Sequence, residues 1–208
     1  MKKKVAIIAP VHRYDDVRVF QKEAITLAQY EYQVSLLARS DRLLTERGVT
    51  VHPVPESSNR LSRFLNLPLV LRMALMQNAD VYHLHNPDTL PIAIALKLLG
   101  KKVIYDTHED FSQRILIRDW IPKLIRPIIA SLVASLEAMV ARIVDLSIAT
   151  QPDVQTRLGI NALLLENAPI TKGDIIDKAY SFSLTLPKQD EFLRLVYIGS
   201  VNRERGLF

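Results

Sequence analysis

The chain has 208 residues, 49% of them hydrophobic, enough for one domain with a sizeable core. Its 27 Lys and Arg against 22 Asp and Glu give a net charge of +5, a mild excess that suits an anionic small molecule or an acidic membrane surface as well as nucleic acid and selects none of them. Cysteine is absent, which excludes a disulfide framework, a thiolate nucleophile and a zinc–thiolate centre.

The N-terminus, MKKKVAIIAP, starts like a secretory signal. Its apolar run ends at Pro10, too short for such a signal, and predicts a first buried strand over residues 4–9 of a cytoplasmic protein. A polar loop follows, then a helix over residues 17–30 with Val19, Phe20, Ala24, Leu27 and Ala28 at helical spacing. Asp15 and Asp16 are placed to cap it. Strands are predicted over 33–38 and 49–54, joined by a polar connection over 39–47 with at most a helical turn. A leucine-rich helix covers 61–77, with Pro68 inside it expected to kink it.

Residues 80–110 read as a strand–helix–strand unit. Residues 81–85 and 103–106 are the strands, 88–99 the helix, and Asp88 is a candidate helix cap. Residues 111–122 read as a connection and 125–143 as a long helix. The longest uncharged run of that helix, 127–136, falls well short of the ~20 residues that span a bilayer. A strand over 146–150, a helix over 152–158 and a strand over 162–165 follow. Residues 171–192 are the least apolar and read as a linker, and 194–199 as one more strand. The alternation predicts an α/β domain: a doubly wound, mostly parallel sheet with helices on both faces. Residues 1–170 form that domain, and 193–208 read as the first strand and loop of a second.

In such sheets ligands gather at the carboxyl ends of the strands. His12, His85 and His108 fall there on neighbouring strands, whereas His83 lies inside its strand and reads as packing. Glu109 follows His108, and Asn86 and Asp88 follow His85. His83 and His85 share a strand face, a pattern of some metal hydrolases. No His follows His108 to complete such a centre, and no metal is expected. The first loop has no glycine before Gly48, which argues against a dinucleotide-binding dehydrogenase. Arg18 in the first turn of a helix opposes the helix dipole and calls for a carboxylate or a bound anion. Arg205-Gly206, after the last strand, suits a phosphate.

These residues fall into four motifs. They are His12, Asp15, Asp16, Arg18, Phe20, Lys22, Glu23 and Ala24; His83, His85, Pro87, Asp88 and Leu90; Tyr105, Asp106, His108 and Glu109; and Tyr197, Gly199, Arg205 and Gly206. In this order the chain resembles the N-terminal, acceptor-binding domain of the retaining family-4 glycosyltransferases of the GT-B fold. The resemblance implies one Rossmann-like half of a two-domain enzyme. The partner half, a C-terminal donor domain missing here, would bind a UDP- or GDP-sugar as substrate. No tightly bound cofactor, no metal and no nucleic acid are implied. His108 and Glu109 would lie near the transferred sugar. His12, Asp15, Asp16, Arg18, Asn86 and Asp88 would face a glycan or lipid-linked acceptor, and Gly199, Arg205 and Gly206 the donor diphosphate. Alone, the chain would be inactive. Arg60, Arg63, Arg72, Arg114, Arg118, Lys123 and Arg126 among Leu, Phe and Trp suit peripheral contact with the anionic inner face of the plasma membrane. The alternatives are a non-catalytic acceptor-, partner- or membrane-binding module, or another GT-B enzyme such as a nucleotide-sugar epimerase.

Overall fold

A computed structural model describes residues 2–57 and 59–168. The chain divides into Met1–Asn167 and Ala168–Phe208. The expectations for 171–208, including the linker, the strand over 194–199 and Gly199, Arg205 and Gly206, lie outside the described residues.

Among the described residues eight strands form one sheet: β1 (Lys4–Arg13), β2 (Gln33–Arg39), β3 (Leu44–Glu46), β4 (Val49–Pro53), β5 (Val81–His85), β6 (Lys102–Thr107), β7 (Leu146–Ala149) and β8 (Ala162–Leu164). Their order is β3-β4-β2-β1-β5-β6-β7-β8. All pairs are parallel except β3 with β4. From β1 the chain first builds outward through β2 and β4, then restarts at β5 and builds the other way. The switch therefore falls between β1 and β5, where open α/β sheets bind their ligands.

The continuous apolar run of β1 is explained by cover on both faces. Ala6 and Ile8 pack into one core layer with Leu37, Tyr82, Leu84, Val103 and Tyr105. Helices α2 (Arg60–Met76), α3 (Leu90–Leu98) and α5 (Arg126–Ala141) cover that side through Val70, Ala74, Leu96 and Val140. Val5, Ile7 and Ala9 point the other way, into a layer with Val34, Leu36, Val49 and Val51. Val19, Phe20, Ala24 and Ile25 close this second side. Helices α4 (Phe111–Leu116) and α6 (Pro152–Leu158) complete the described part.

The departures from the sequence reading have local causes. The strand placed over 4–9 continues to Arg13; Pro10 sits where the register against β2 shifts, a place that tolerates its missing N–H. The connection over 39–47 contains β3, which folds back on β4 through Arg47 and Gly48, both at positive φ. A Cβ on Gly48 would also meet Ala28 Cβ at 3.3 Å. The helix over 17–30 is a π-helical segment, Val17–Ala24, running into a short α1 (Ile25–Gln29). Phe111–Leu116 is helical because Asp110 caps it, accepting from the N–H groups of Ser112 and Gln113. Asp88 does not cap α3: it lies in a 3-10 turn, Pro87–Thr89, and no side chain caps the helix. Thr89 holds the corner instead, donating its hydroxyl to the carbonyls of His85 and Asn86. Pro68 is accommodated within α2.

Candidate functional site

β5 alternates between the two sides of the sheet. Tyr82 and Leu84 enter the apolar layer under α2, α3 and α5. His83 and His85 point to the opposite face, as does Asp106, which is in register with His85 on β6. The π-helical segment lies over that face. Asp16 starts it, its Oδ1 accepting from the N–H groups of Arg18 and Val19. Arg18 and Glu23 are five residues apart. An α-helix would turn them about 140° away from each other, whereas a π-helix, bonding i to i+5, brings them to one side.

The result is a buried polar network. Arg18 Nη2 donates to Asp106 Oδ1 at 3.1 Å and Oδ2 at 2.8 Å. Arg18 Nε stands 3.0 Å from Glu23 Oε1. His85 Nε2 is 3.1 Å from Glu23 Oε2, and His83 Nε2 is 3.6 Å from Asp106 Oδ2. His83, His85, Asp106 and Arg18 are all buried. Burial pulls the Asp106 carboxyl upward, but His83, His85 and Arg18 outweigh it and hold it below the usual carboxylate range. Burial likewise opposes ionisation of Glu23, and His85 and His83 overcome it. Burial lowers His83, and Asp106 and Glu23 more than reverse it, so His83 is held protonated above its ordinary range. Two carboxylates facing one guanidinium and two imidazoles pair their buried charges with one another, as burial demands.

Glu23, His83, His85 and Asp106 each bring one ligand atom within 4.8 Å of the others, the spacing of a metal-binding group. Arg18 already places a cation against both carboxylates, so a divalent ion here would meet a fixed positive charge. The network reads as the support of a site.

The site itself lies above, at the strand ends. His12 is drawn in by Asn86, whose Nδ2 donates to His12 Nε2 at 2.7 Å. That contact leaves the proton on Nδ1, which faces Asp16 Oδ2 at 3.2 Å. Asp16 is pushed up by burial and pulled down further by His12 and by the helix-start N–H groups, ending well below its ordinary value. Asn86 holds φ +70° at the end of β5, an uncommon conformation for a residue with a side chain. The His108 ring lies 5.2 Å from that of His12 and 6.1 Å from that of His85, centroid to centroid. Burial, and the repulsion between His108 and the His85 and His12 rings when these are protonated, push His108 down to about 4. Its Nδ1 is buried and has no hydrogen-bond partner among the described residues, and neither does Asp88 Oδ2. Burial raises the Asp88 carboxyl.

The structure thus brings together His12, Asp16, Asn86 and His108, with Asp88 at the rim; Arg18, expected to face the acceptor, is instead buried beneath them against Asp106 and Glu23. Asp15 turns away and pairs with exposed Arg13. Glu109 pairs with Arg114 instead of joining the imidazoles. His85, placed at a strand end by the sequence, supports the site from beneath through Glu23. Glu23 and Asp106 are supporting residues that the sequence offered only as motif members, with no role in the site assigned to them. A signal for both was present: they stand inside two of the four motifs, and Arg18 called for a carboxylate.

A family model described as Glycosyltransferase Family 4 matches residues 17–162. No curated protein matches the chain in sequence. Among solved structures, sucrose-phosphate synthase from Thermosynechococcus elongatus superposes with a TM-score of 0.63 at 13% identity, over 89% of this chain and 53% of that one. This chain thus spans about half the synthase's length. A shorter chain of the same synthase gives a TM-score of 0.56 at 13% identity, over 88% of this chain and 96% of its own. Identity this low shows a shared Rossmann-like fold and nothing finer.

Proposed function

The chain belongs to glycosyltransferase family 4, and we propose from that membership that it is the acceptor-binding half of a two-domain transferase. A second Rossmann-like domain binds a UDP- or GDP-sugar as substrate, and the sugar passes with retention to a glycan or lipid-linked acceptor. The enzyme holds no tightly bound cofactor and acts in cell-surface polysaccharide or glycolipid synthesis. Gly199, Arg205 and Gly206 meet the donor diphosphate.

The convergence of His12, Asn86 and His108 at the switch between β1 and β5 supports this reading most directly. Imidazoles held rigid from beneath can fix a sugar without reorganising as charge develops. His108, pushed down to about 4, is neutral near pH 7. It therefore exchanges hydrogen bonds with a sugar hydroxyl and does not repel a glycosyl-cation-like transition state. Asp16, ionised and bonded to His12, orients that ring toward the acceptor. Asp88, whose Oδ2 has no partner among the described residues, is available to an acceptor hydroxyl or phosphate.

Among the described residues no helix is long and apolar enough to cross a membrane. Exposed Phe64, Leu69 and Leu124, with exposed Arg63, Arg72 and Lys123, support peripheral attachment at the cytoplasmic face of the plasma membrane.

The test pairs this chain with a donor-binding domain of the same family and offers radiolabelled UDP- and GDP-hexoses with a membrane extract as acceptor source. Transfer is expected only when both domains are present, and His108→Ala lowers it about 100-fold or more. Folded domains that leave every labelled donor untransferred overturn the reading.

A further inference from the structure

His12 and His108 are held in the site by different means. His12 is tied at both ring nitrogens, to Asn86 and to Asp16. His108 has no such tie at its buried Nδ1, which lacks a partner among the described residues. Its ring meets those of His12 and Phe111 edge-on, 5.2 and 6.4 Å between centroids. Where that ring stands is therefore set by packing and by the backbone that carries it, the turn over residues 108–110 between β6 and α4.

Three elements hold this turn. Thr107, the last residue of β6, is in register with Ala149 on β7, which places Thr150 one step further along, level with His108. Thr150 donates its hydroxyl to the His108 carbonyl at 2.9 Å. Thr107 donates toward the Glu109 carbonyl at 3.2 Å. Arg157 of α6 grips Asp110 through Nη1, 3.2 Å from each carboxylate oxygen. Behind them Glu137 of α5 accepts from Thr107 at 3.0 Å and from Arg157 Nη2 at 3.4 Å. The two threonines are not equivalent, because a hydroxyl has one proton to give. Thr107 divides its proton between Glu109 and Glu137. Thr150 gives its own to His108. Closing a turn needs one such bond; here three successive residues are held from three elements, and the undivided bond falls on His108.

We propose that Thr150 is the positioning residue for His108: its hydroxyl fixes the turn that keeps the imidazole beside His12, while Thr107 and Arg157 secure the two residues that follow. This rests on the reading of His108 as the group beside the transferred sugar and adds how it is kept there. Thr150→Val preserves the side chain's shape and removes its proton, so the His108 carbonyl loses its donor. The ring then swings toward water and away from the two imidazoles that oppose its protonation, and its pKa rises.

The test is an NMR titration of the imidazoles in the full chain. Thr150→Val is expected to raise the His108 midpoint by about one unit or more and to weaken the Overhauser contact between the His108 and His12 rings. Thr150→Ser, which keeps the hydroxyl, is expected to match wild type in both. Tyr105→Phe removes another donor to Glu137 without touching the turn; it is expected to cost stability and leave the His108 midpoint in place. Thr150→Ala removes the same bond and is read in the same way where Thr150→Val does not fold. A His108 midpoint and ring contact unchanged in the folded variant overturn the proposal. A midpoint that moves as far in Tyr105→Phe also overturns it, since general loosening then explains the shift. In the paired-domain transfer assay Thr150→Val is expected to lower the rate about ten-fold or more, and a displaced ring with an unchanged rate overturns the positioning role. Absence of transfer by the wild-type pair sinks the transferase reading instead, and the displaced ring still assigns the placement of His108 to Thr150.

Discussion

His108 is neutral because of its company: a buried position and two nearby imidazoles, His85 and His12, each of which makes a further positive charge unfavourable. An unfolded chain binds that proton near pH 6.5, the folded one only near 4. Between those values the unfolded state carries the extra proton, so stability falls as pH drops through that window. His83 has the opposite sign: its folded value is raised, so its contribution is present below about 6.5 and is lost as pH climbs through the folded value. Asp88 and Glu137 are raised too and oppose the His108 slope at low pH, so the wild-type curve mixes several groups. The difference between wild type and His108→Gln isolates the one. That variant is expected to lose less stability than wild type between pH 6.5 and 4, measured by urea unfolding at each pH. Imidazole NMR shifts of His108 in the wild type should stay flat down to about pH 5; a midpoint near 6.5 would contradict this account. The sequence marked His108 and His12 by their places at strand ends. It left out Glu23, because α-helical spacing turns Glu23 away from Arg18 and only the π-helical segment returns it.

Elements are tied together here by buried polar groups as much as by apolar packing. Glu137 on α5 is fully buried. Tyr105 of β6 donates its hydroxyl to Glu137 Oε1 at 2.7 Å, Thr107 donates to the same oxygen at 3.0 Å, and Arg157 of α6 reaches Oε2 at 3.4 Å. Arg157 also bonds Asp110, the cap of α4, so one carboxylate and one arginine join four elements. Burial still raises Glu137 despite these donors, so losing one of them is costly. Tyr105→Phe is expected to lower unfolding free energy by about 1–3 kcal/mol, read by urea denaturation. A change within the error of the measurement would show that Thr107 and Arg157 suffice. None of this is legible in the sequence. There Glu137 is a charge interrupting an apolar helix, and that pattern alone does not say whether it faces water or a tyrosine from another strand.

At the scale of the whole molecule, the sheet buries both faces in its centre yet leaves a band of apolar and basic side chains outside. Phe64, Leu65 and Leu69 on α2, Trp120 and Leu124 before α5, and Ile128, Leu132 and Leu136 along it are exposed. With the chain's charge of +5, that band predicts binding to anionic vesicles. In sedimentation the protein should pellet with phosphatidylglycerol-containing liposomes and stay in the supernatant with neutral ones. Raising salt to about 1 M should release much of it, since screening then acts within roughly 3 Å. Equal binding to both vesicle types would leave apolar contact alone and remove the electrostatic part.

The architecture was set by periodicity: apolar runs of strand length alternating with helical patterns admit little besides a parallel, two-faced sheet, because each such strand needs cover on both sides. The same pattern predicted that His12, His85 and His108 would share an edge, since that follows from strand order alone. Side-chain partners were decided only in three dimensions. A hydrogen bond between Asn86 and His12 spans 74 residues and one between Arg18 and Asp106 spans 88. Periodicity describes which way a side chain leaves its own strand or helix, and it carries no information about what stands opposite. The π-helical turn, the edge strand Leu44–Glu46 and the polar network beneath the histidines all arise from that opposite partner.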